Sequence, residues 1–334
     1  MPMSSYEVVR RAVEFATPDR LPIRFATLGR SDMHNVSWNQ IGTGDHALRE
    51  TLDEWGCTWT RSEVANMGQV TGHPLADWRS LDDYRWPDPD NPAFYEGMAA
   101  RFAGSDGQYI TTGIFMLLFE RMHALHGFES TLRDLFLERE RIELLADRIV
   151  EIDLGIIDNI GRRFPGQIHG FSFTDDWGTE RSGFISERLW DDFFKPRYKR
   201  LFDAMHARGW HVWMHSCGKV DAYIDSLIGI GANVLNLQQP RVFGSIEKFG
   251  RRFAGRVCLE SLCDIQHTLP FASDDEVREE ARLLTRYWGT SEGGFVLSDY
   301  GDGQAIGVPL ERKQVMLDAF LAADRWAAAA KAGV

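Results

Sequence analysis

The chain has 334 residues and a net charge of −12, an acidic balance that argues against nucleic acid and anionic membranes as default partners, since both select basic surfaces. No apolar run approaches a membrane span and residues 1–11 lack the apolar core of a secretory signal, so a cytoplasmic protein is expected. Apolar residues make up 44%, enough for one large core in a single domain, while four cysteines in so long a chain make no disulfide framework and leave thiols or a thiolate on a metal.

Ser4 or Ser5 caps a first helix carrying Val8, Val9 and Val13, which ends before Pro18. Residues 21–26 read as strand one with Arg24 inside it, and Gly29-Arg30-Ser31-Asp32 follows as a loop whose charges face either a pocket or solvent. A helix over 45–55 and a strand around 57–67 come next, and the Pro/Asp punctuation at 87–92 starts another helix at 93–102. Residues 109–114 are β-rich and lead into a helical run holding Glu120, Arg121, His123 and His126, with His123 read as a helix-surface or core residue. One or two long helices fill 133–163, with Leu144, Leu145, Ile149 and Ile156 among their apolar positions. The strand at 167–174 ends in Asp175-Asp176-Trp177-Gly178, and the helix from Glu187 runs past Pro196 to Arg208 with a kink. A strand at 211–215 breaks at Gly218 directly after His215 and Cys217, a helix at 219–230 follows, and the strand at 232–237 exits into Gln238-Gln239-Pro240. The strand at 256–260 ends on Glu260, Ser273 to Glu276 has the capping-box pattern for a helix to Tyr287, and the last strand, 295–298, exits into Asp299-Tyr300-Gly301-Asp302. Pro309 starts a final helix with Val315, Met316, Ala319 and Phe320 inward.

Eight candidate strands separated by helical segments point to the α/β class and a (β/α)8 TIM barrel, whose chemistry sits at the C-terminal strand ends. Asp175, Asp176, His215, Cys217, Gln238, Glu260, Asp299 and Asp302 all fall at such ends. A doubly wound sheet would carry a Gly-rich dinucleotide loop early in the chain, and none is present.

Residues i and i+2 of a strand end point to the same side, so His215 and Cys217 converge on one ion or substrate, and their donors suit zinc. A hydrogen-bonded histidine beside an inert cysteine has the same spacing. A third ligand is available from Glu260, Asp299 or Asp302, or from Cys258 or Cys263; alternation favours Glu260 at its strand exit, where a salt bridge at the barrel rim is the competing role. Asp175 and Asp176 are adjacent and point opposite ways, so one faces the pocket for acid/base work or both serve as helix caps. Trp177, Gln238, Gln239 and Tyr300 are candidate substrate contacts at the same exits. There is no nucleophile elbow, phosphate-cradling glycine loop or zinc-protease helix motif.

Asp175-Asp176-Trp177-Gly178, Phe194-Lys195-Pro196-Arg197, His215-Ser216-Cys217-Gly218 and residues 236–240 together resemble the uroporphyrinogen decarboxylase superfamily, which includes zinc-dependent methylcobamide methyltransferases. The resemblance continues through Asp264-Ile265-Gln266 and Thr268-Leu269-Pro270 to Val308-Pro309, and loosely to the first helix and Pro18-Asp19-Arg20, about two thirds of the chain. It implies a (β/α)8 barrel with its pocket at the C-terminal face. In the methyltransferase branch a His-x-Cys pair and a later Cys bind zinc, which activates a thiol as methyl acceptor, and a corrinoid on a partner protein carries the methyl group; His215 and Cys217 match the first two ligands. Where the later cysteine belongs this chain has Asp299-Tyr300-Gly301-Asp302, so an oxygen ligand replaces the sulfur. The Arg-rich stretch of true uroporphyrinogen decarboxylases is reduced to Gly29-Arg30, and their Pro-aromatic-Thr signature is missing around 116–119, so a porphyrinogen is not the expected substrate.

The expected function is metal-dependent methyl transfer or O-demethylation of a small molecule, in a monomer or homodimer, with His215 and Cys217 as zinc ligands. The alternatives are a metal-free decarboxylase using Asp175 or Asp176 with Arg30 around a small carboxylated substrate, and a non-enzymatic barrel that binds a small ligand or partner.

Overall fold

The computed structural model describes residues 2–40, 49–61 and 68–332. Twelve strands are present among them: β1 (Ile23–Phe25), β2 (Arg30–Ser31), β3 (Met33–Asn35), β4 (Glu50–Leu52), β5 (Thr58–Thr60), β6 (Gln69–Gly72), β7 (Tyr109–Ile114), β8 (Gly170–Thr174), β9 (His211–His215), β10 (Val234–Asn236), β11 (Cys258–Ser261) and β12 (Phe295–Ser298). Nine of them form one sheet in the order β2-β1-β12-β11-β10-β9-β8-β7-β3, parallel throughout except where β2 turns back on β1. With α-helices between successive strands from β7 to β12, and 3-10 turns in the described connections of the first three, β1, β3 and β7 to β12 are the eight staves of a (β/α)8 barrel.

The sheet's two ends meet at the seam between β1 and β3, and Asp32 closes it. Its backbone N–H donates to the Ile23 carbonyl at 2.7 Å, and its carboxylate accepts from the Ile23 N–H at 2.9 Å. Both guanidinium ends of Arg20 and the Ser5 hydroxyl hold that carboxylate in place.

Strand alternation sorts the barrel interior into two layers. Met33, Tyr109, Trp213, Val234, Cys258 and Val296 form a lower apolar layer, and Val9 and Val13 of α1 (Ser5–Val13) plug it from below. Two residues further along the same strands stand Asn35, Thr111, His215, Asn236, Glu260 and Ser298, every one polar. The same period that fills the core thus builds a polar floor for whatever lies above.

Two predicted elements change place. The second stave is β3, not the strand expected around 57–67. Gly29 takes a left-handed turn at φ 66°, β2 pairs back on β1, and the chain enters β3 at once, too short and polar a strand to stand out by periodicity. Residues 58–60 instead form the middle of a separate antiparallel sheet, β4-β5-β6, while 62–67 lie outside the described residues. The helix expected over 45–55 is also absent where described: 50–52 is β4, and the Asp53 carboxylate ties the turn behind it by accepting from the N–H groups of Trp55 and Cys57. Residues 45–48 lie outside the described set. The helix expected over 219–230 shrinks to Ile224–Gly229, and the one expected over 93–102 is two short 3-10 turns, Pro92–Tyr95 and Met98–Phe102. The kink before Pro196 is a π-helical turn over Trp190–Phe194, where the ring nitrogen that cannot donate breaks the α-helical ladder.

Candidate active site

A cavity of about 1780 Å³ opens above the polar floor, at the C-terminal ends of the strands. Trp59, Arg61, Gln69 and Val70 from the small antiparallel sheet reach its rim, and Phe115, Phe128 and Tyr300 give it aromatic walls.

On the β8–β9 side, Asp176, His215 and Cys217 each offer a ligand atom, all within 4.8 Å of one another; among the described residues no other group of three does so. The Cys217 sulfur is 3.3 Å and an Asp176 carboxylate oxygen 3.6 Å from His215 Nε2. His215 Nδ1 lies 2.6 Å from the Asn236 side-chain oxygen, which can only accept, so the ring proton sits on Nδ1 and the Nε2 lone pair faces the sulfur and carboxylate. The Cys217 N–H donates to Asp176 at 2.7 Å, which fixes the carboxylate relative to the thiol. Burial and then the Asp176 charge push the thiol's pKa up, so nothing in the bare protein favours the thiolate. Gly218 is required next: it stands at φ 81°, a Cβ there would come within 2.2 Å of the Gly178 carbonyl oxygen, and its N–H donates to Gln239 Oε1.

The β11–β12–β1 side has three carboxylates, each with a partner. Arg24 of β1 reaches past β12 to Glu260 of β11 at 3.2 Å. Asp299 faces the buried Lys313 ammonium at 2.9 Å and accepts from the Thr27 hydroxyl, and Asp302 caps the 3-10 turn Gly303–Ile306. Glu260, Asp299 and Asp302 therefore do not join His215 and Cys217; the carboxylate that does is Asp176. Cys258 is packed in the lower layer, and the buried Cys263 thiol donates to the Val277 carbonyl.

Asp175 and Asp176 split as adjacent strand residues must. The Asp175 carboxylate is fully buried away from the cavity, accepting the N–H groups of Leu118, Phe119 and Glu120 at the start of the helix Phe119–His126 and the Tyr198 hydroxyl at 2.5 Å. Burial raises its pKa to about 6 against those four bonds, which favour the charged form. Trp177 is core, stacked on Phe119 with its indole N–H on Tyr198, rather than a substrate contact. Arg30 is exposed on β2 and does not line the cavity, whereas Gln238, Gln239 and Tyr300 do.

Two further groups were not assigned to the site from sequence. Glu120 lines the cavity nine-tenths buried with one carboxyl oxygen unpartnered, and burial with the nearby Asp176 and Asp175 charges holds its pKa well above the usual range. His123, on the same helix, also lines the cavity, its pKa pushed down to about 4 by burial. The available signal was position: both fall in the first turns after the third stave, where barrel chemistry gathers. Asn236, which orients His215, sits on β10 in register with it and carries no sequence signal beyond that.

A closed parallel barrel with a histidine, a thiol and a carboxylate converging at its C-terminal mouth defines a (β/α)8 protein with a three-donor polar site. This chain belongs to the uroporphyrinogen decarboxylase (URO-D) family, whose profile matches residues 110–322. Among solved structures, a methyltransferase from Methanosarcina mazei superposes with TM-score 0.65 at 15% identity, over 95% of this chain and 98% of that one. A glycosylated endo-beta-1,4-xylanase from Gloeophyllum trabeum superposes with TM-score 0.43 at 10% identity, over 70% of this chain and 82% of that one. No curated protein sequence matches.

Proposed function

We propose that the protein is an enzyme that moves a methyl group, by transfer or O-demethylation of a small molecule, with zinc held by Asp176, His215 and Cys217. The observation that carries this reading is the convergence of three chemically suited donors on one point, with His215 already locked in the tautomer a metal needs. A nitrogen, a sulfur and an oxygen donor with room beside them fit a three-ligand zinc site that keeps an open position. When bound there, zinc supplies positive charge that lowers the pKa of a thiol methyl acceptor toward neutrality. The chain's own residues do the rest: Asn236 keeps the imidazole proton on Nδ1, the Cys217 N–H orients Asp176, and the aromatic walls dehydrate the methyl donor. A corrinoid protein is a candidate partner for the methyl group. The decarboxylase reading loses support because Arg30 stands outside the cavity and the Arg24 charge is balanced by Glu260.

Plasma emission analysis of protein incubated with zinc tests the site: about one equivalent is expected for a single three-ligand centre, and near none in His215→Ala and Cys217→Ser. Wild-type protein that stays zinc-free would overturn the reading. Methyl ethers should then release their alcohol only when a thiol or reduced cobalamin acceptor is supplied, and carbon dioxide release from carboxylated analogues would point to decarboxylation instead.

A further inference from the structure

The cavity's second polar centre lies away from the proposed metal site. Glu260 is 1% exposed, and the only hydrogen bond to its side chain among the described residues runs from Arg24 Nη1 to Oε1. Its other oxygen, Oε2, is buried with no hydrogen-bond partner among the described residues, a state that favours any group able to donate to it. Arg24 is one-third exposed toward the cavity and spends a single N–H on Glu260, so its remaining donors are also available. Glu260 is in register with Asn236, and Asn236 with His215. The two centres are therefore two strand spacings apart, about 10 Å.

We propose that Arg24 and Glu260 form a donor–acceptor clamp for a neutral group that both accepts and donates, a hydroxyl or an amide, at the end of the substrate remote from His215 and Cys217. An O–H group satisfies both sides, giving its proton to Glu260 Oε2 and accepting from Arg24. A carboxylate cannot, because it has no proton for Oε2 and meets a pair whose charges already cancel. The span and the aromatic walls fit a ring carrying the methyl donor on one side and the hydroxyl opposite it. This substrate class rests on the cavity being the substrate site of the reading above, but the clamp itself is testable without turnover.

The probes are 4-methoxyphenol and 4-methoxybenzoate, the same ring with a hydroxyl or a carboxylate, titrated by calorimetry or ligand-observed NMR. Wild type should bind the phenol about tenfold more tightly, the scale of one hydrogen bond to a charged group. Glu260→Gln keeps the side chain's shape but leaves the Arg24 charge uncompensated, so the order should invert, with the benzoate ahead by about tenfold. Arg24→Gln should weaken the phenol without improving the benzoate. The double variant Arg24→Gln/Glu260→Gln, neutral and close in shape, checks for misfolding of either single variant and should show little preference. Equal binding of both probes to wild type, or an unchanged order in Glu260→Gln, overturns the clamp. Repeating the titrations in His215→Ala separates the two readings. An inversion that persists there supports the clamp even if zinc binding fails, and normal zinc uptake with no inversion sinks the clamp alone.

Discussion

The two walls of the cavity both carry carboxylates and partner them in opposite ways. On the β8–β9 wall a carboxylate, an imidazole and a thiol meet with no cation among them, their lone pairs turned toward one another. Across the mouth, Glu260 and Asp299 are each matched by Arg24 and Lys313. Unpaired donors crowded together favour a cation brought from outside, whereas paired ones are already neutral and can only sort ligands by hydrogen bonding. The same lesson repeats at single-residue scale in Asp175, buried under four donors, and Asp176, beside it and facing the cavity.

The adjacent aspartates give the largest effect. Asp175→Ala strands three helix N–H groups and the Tyr198 hydroxyl, so it should lower stability by roughly 4 kcal/mol in urea unfolding, from about 1–3 kcal/mol per buried group left unsatisfied. Asp176→Asn should change stability by less than about 1 kcal/mol while abolishing zinc uptake. Similar losses of stability in both would erase the distinction between them.

Asn236→Ala should weaken zinc binding about 10- to 100-fold in competition against a chelator, because it frees the His215 ring to adopt the wrong tautomer. Glu260→Gln, one strand further on, should leave zinc affinity unchanged. Were Glu260→Gln the variant that lost zinc, the metal would belong on the opposite wall.

A third kind of buried carboxylate sharpens the contrast. Asp153, in the helix Arg139–Arg163, has neither a salt bridge nor a hydrogen-bond partner for either oxygen among the described residues, and burial raises its pKa well above the usual value despite the charge of Arg121. The folded state holds this proton more tightly than the unfolded chain. The group's stabilising contribution is therefore complete below the unfolded value of about 3.9, and is lost as pH rises toward the folded pKa. Asp153→Asn should accordingly stabilise the protein by about 1–3 kcal/mol at pH 8 and by little at pH 4, read from paired unfolding curves. No gain at pH 8 would mean that the carboxylate is satisfied in solution.

The smallest effect belongs to Asp302. Its side chain accepts the Ala305 N–H, so Asp302→Ala should cost about 0.5–1 kcal/mol, with zinc uptake unaltered. A loss of zinc in this variant would restore Asp302 as a ligand.

Where residues repeat with a clear period, the sequence was legible. β7, β9 and β12 begin and end where the apolar runs do, and the Ser273 to Glu276 capping box opens the helix Asp274–Tyr287. β3 escaped because three residues with a histidine and an asparagine carry no period; hydrogen bonding to β7 makes them a strand. At the site, the i, i+2 spacing brought His215 and Cys217 to one side, a local property of extended backbone. The third donor is not local. Asp176 arrives from the neighbouring strand's exit, and the pairing of β8 with β9, not distance along the chain, brings it to His215. Glu260, which alternation favoured, is two strands away and paired with an arginine 236 positions earlier, because β12 pairs with both β1 and β11 and sets them two strands apart. Strand period and turn chemistry thus determined the staves and the side toward which each residue points. Which charges meet at the mouth was decided only when strands far apart in the chain paired side by side.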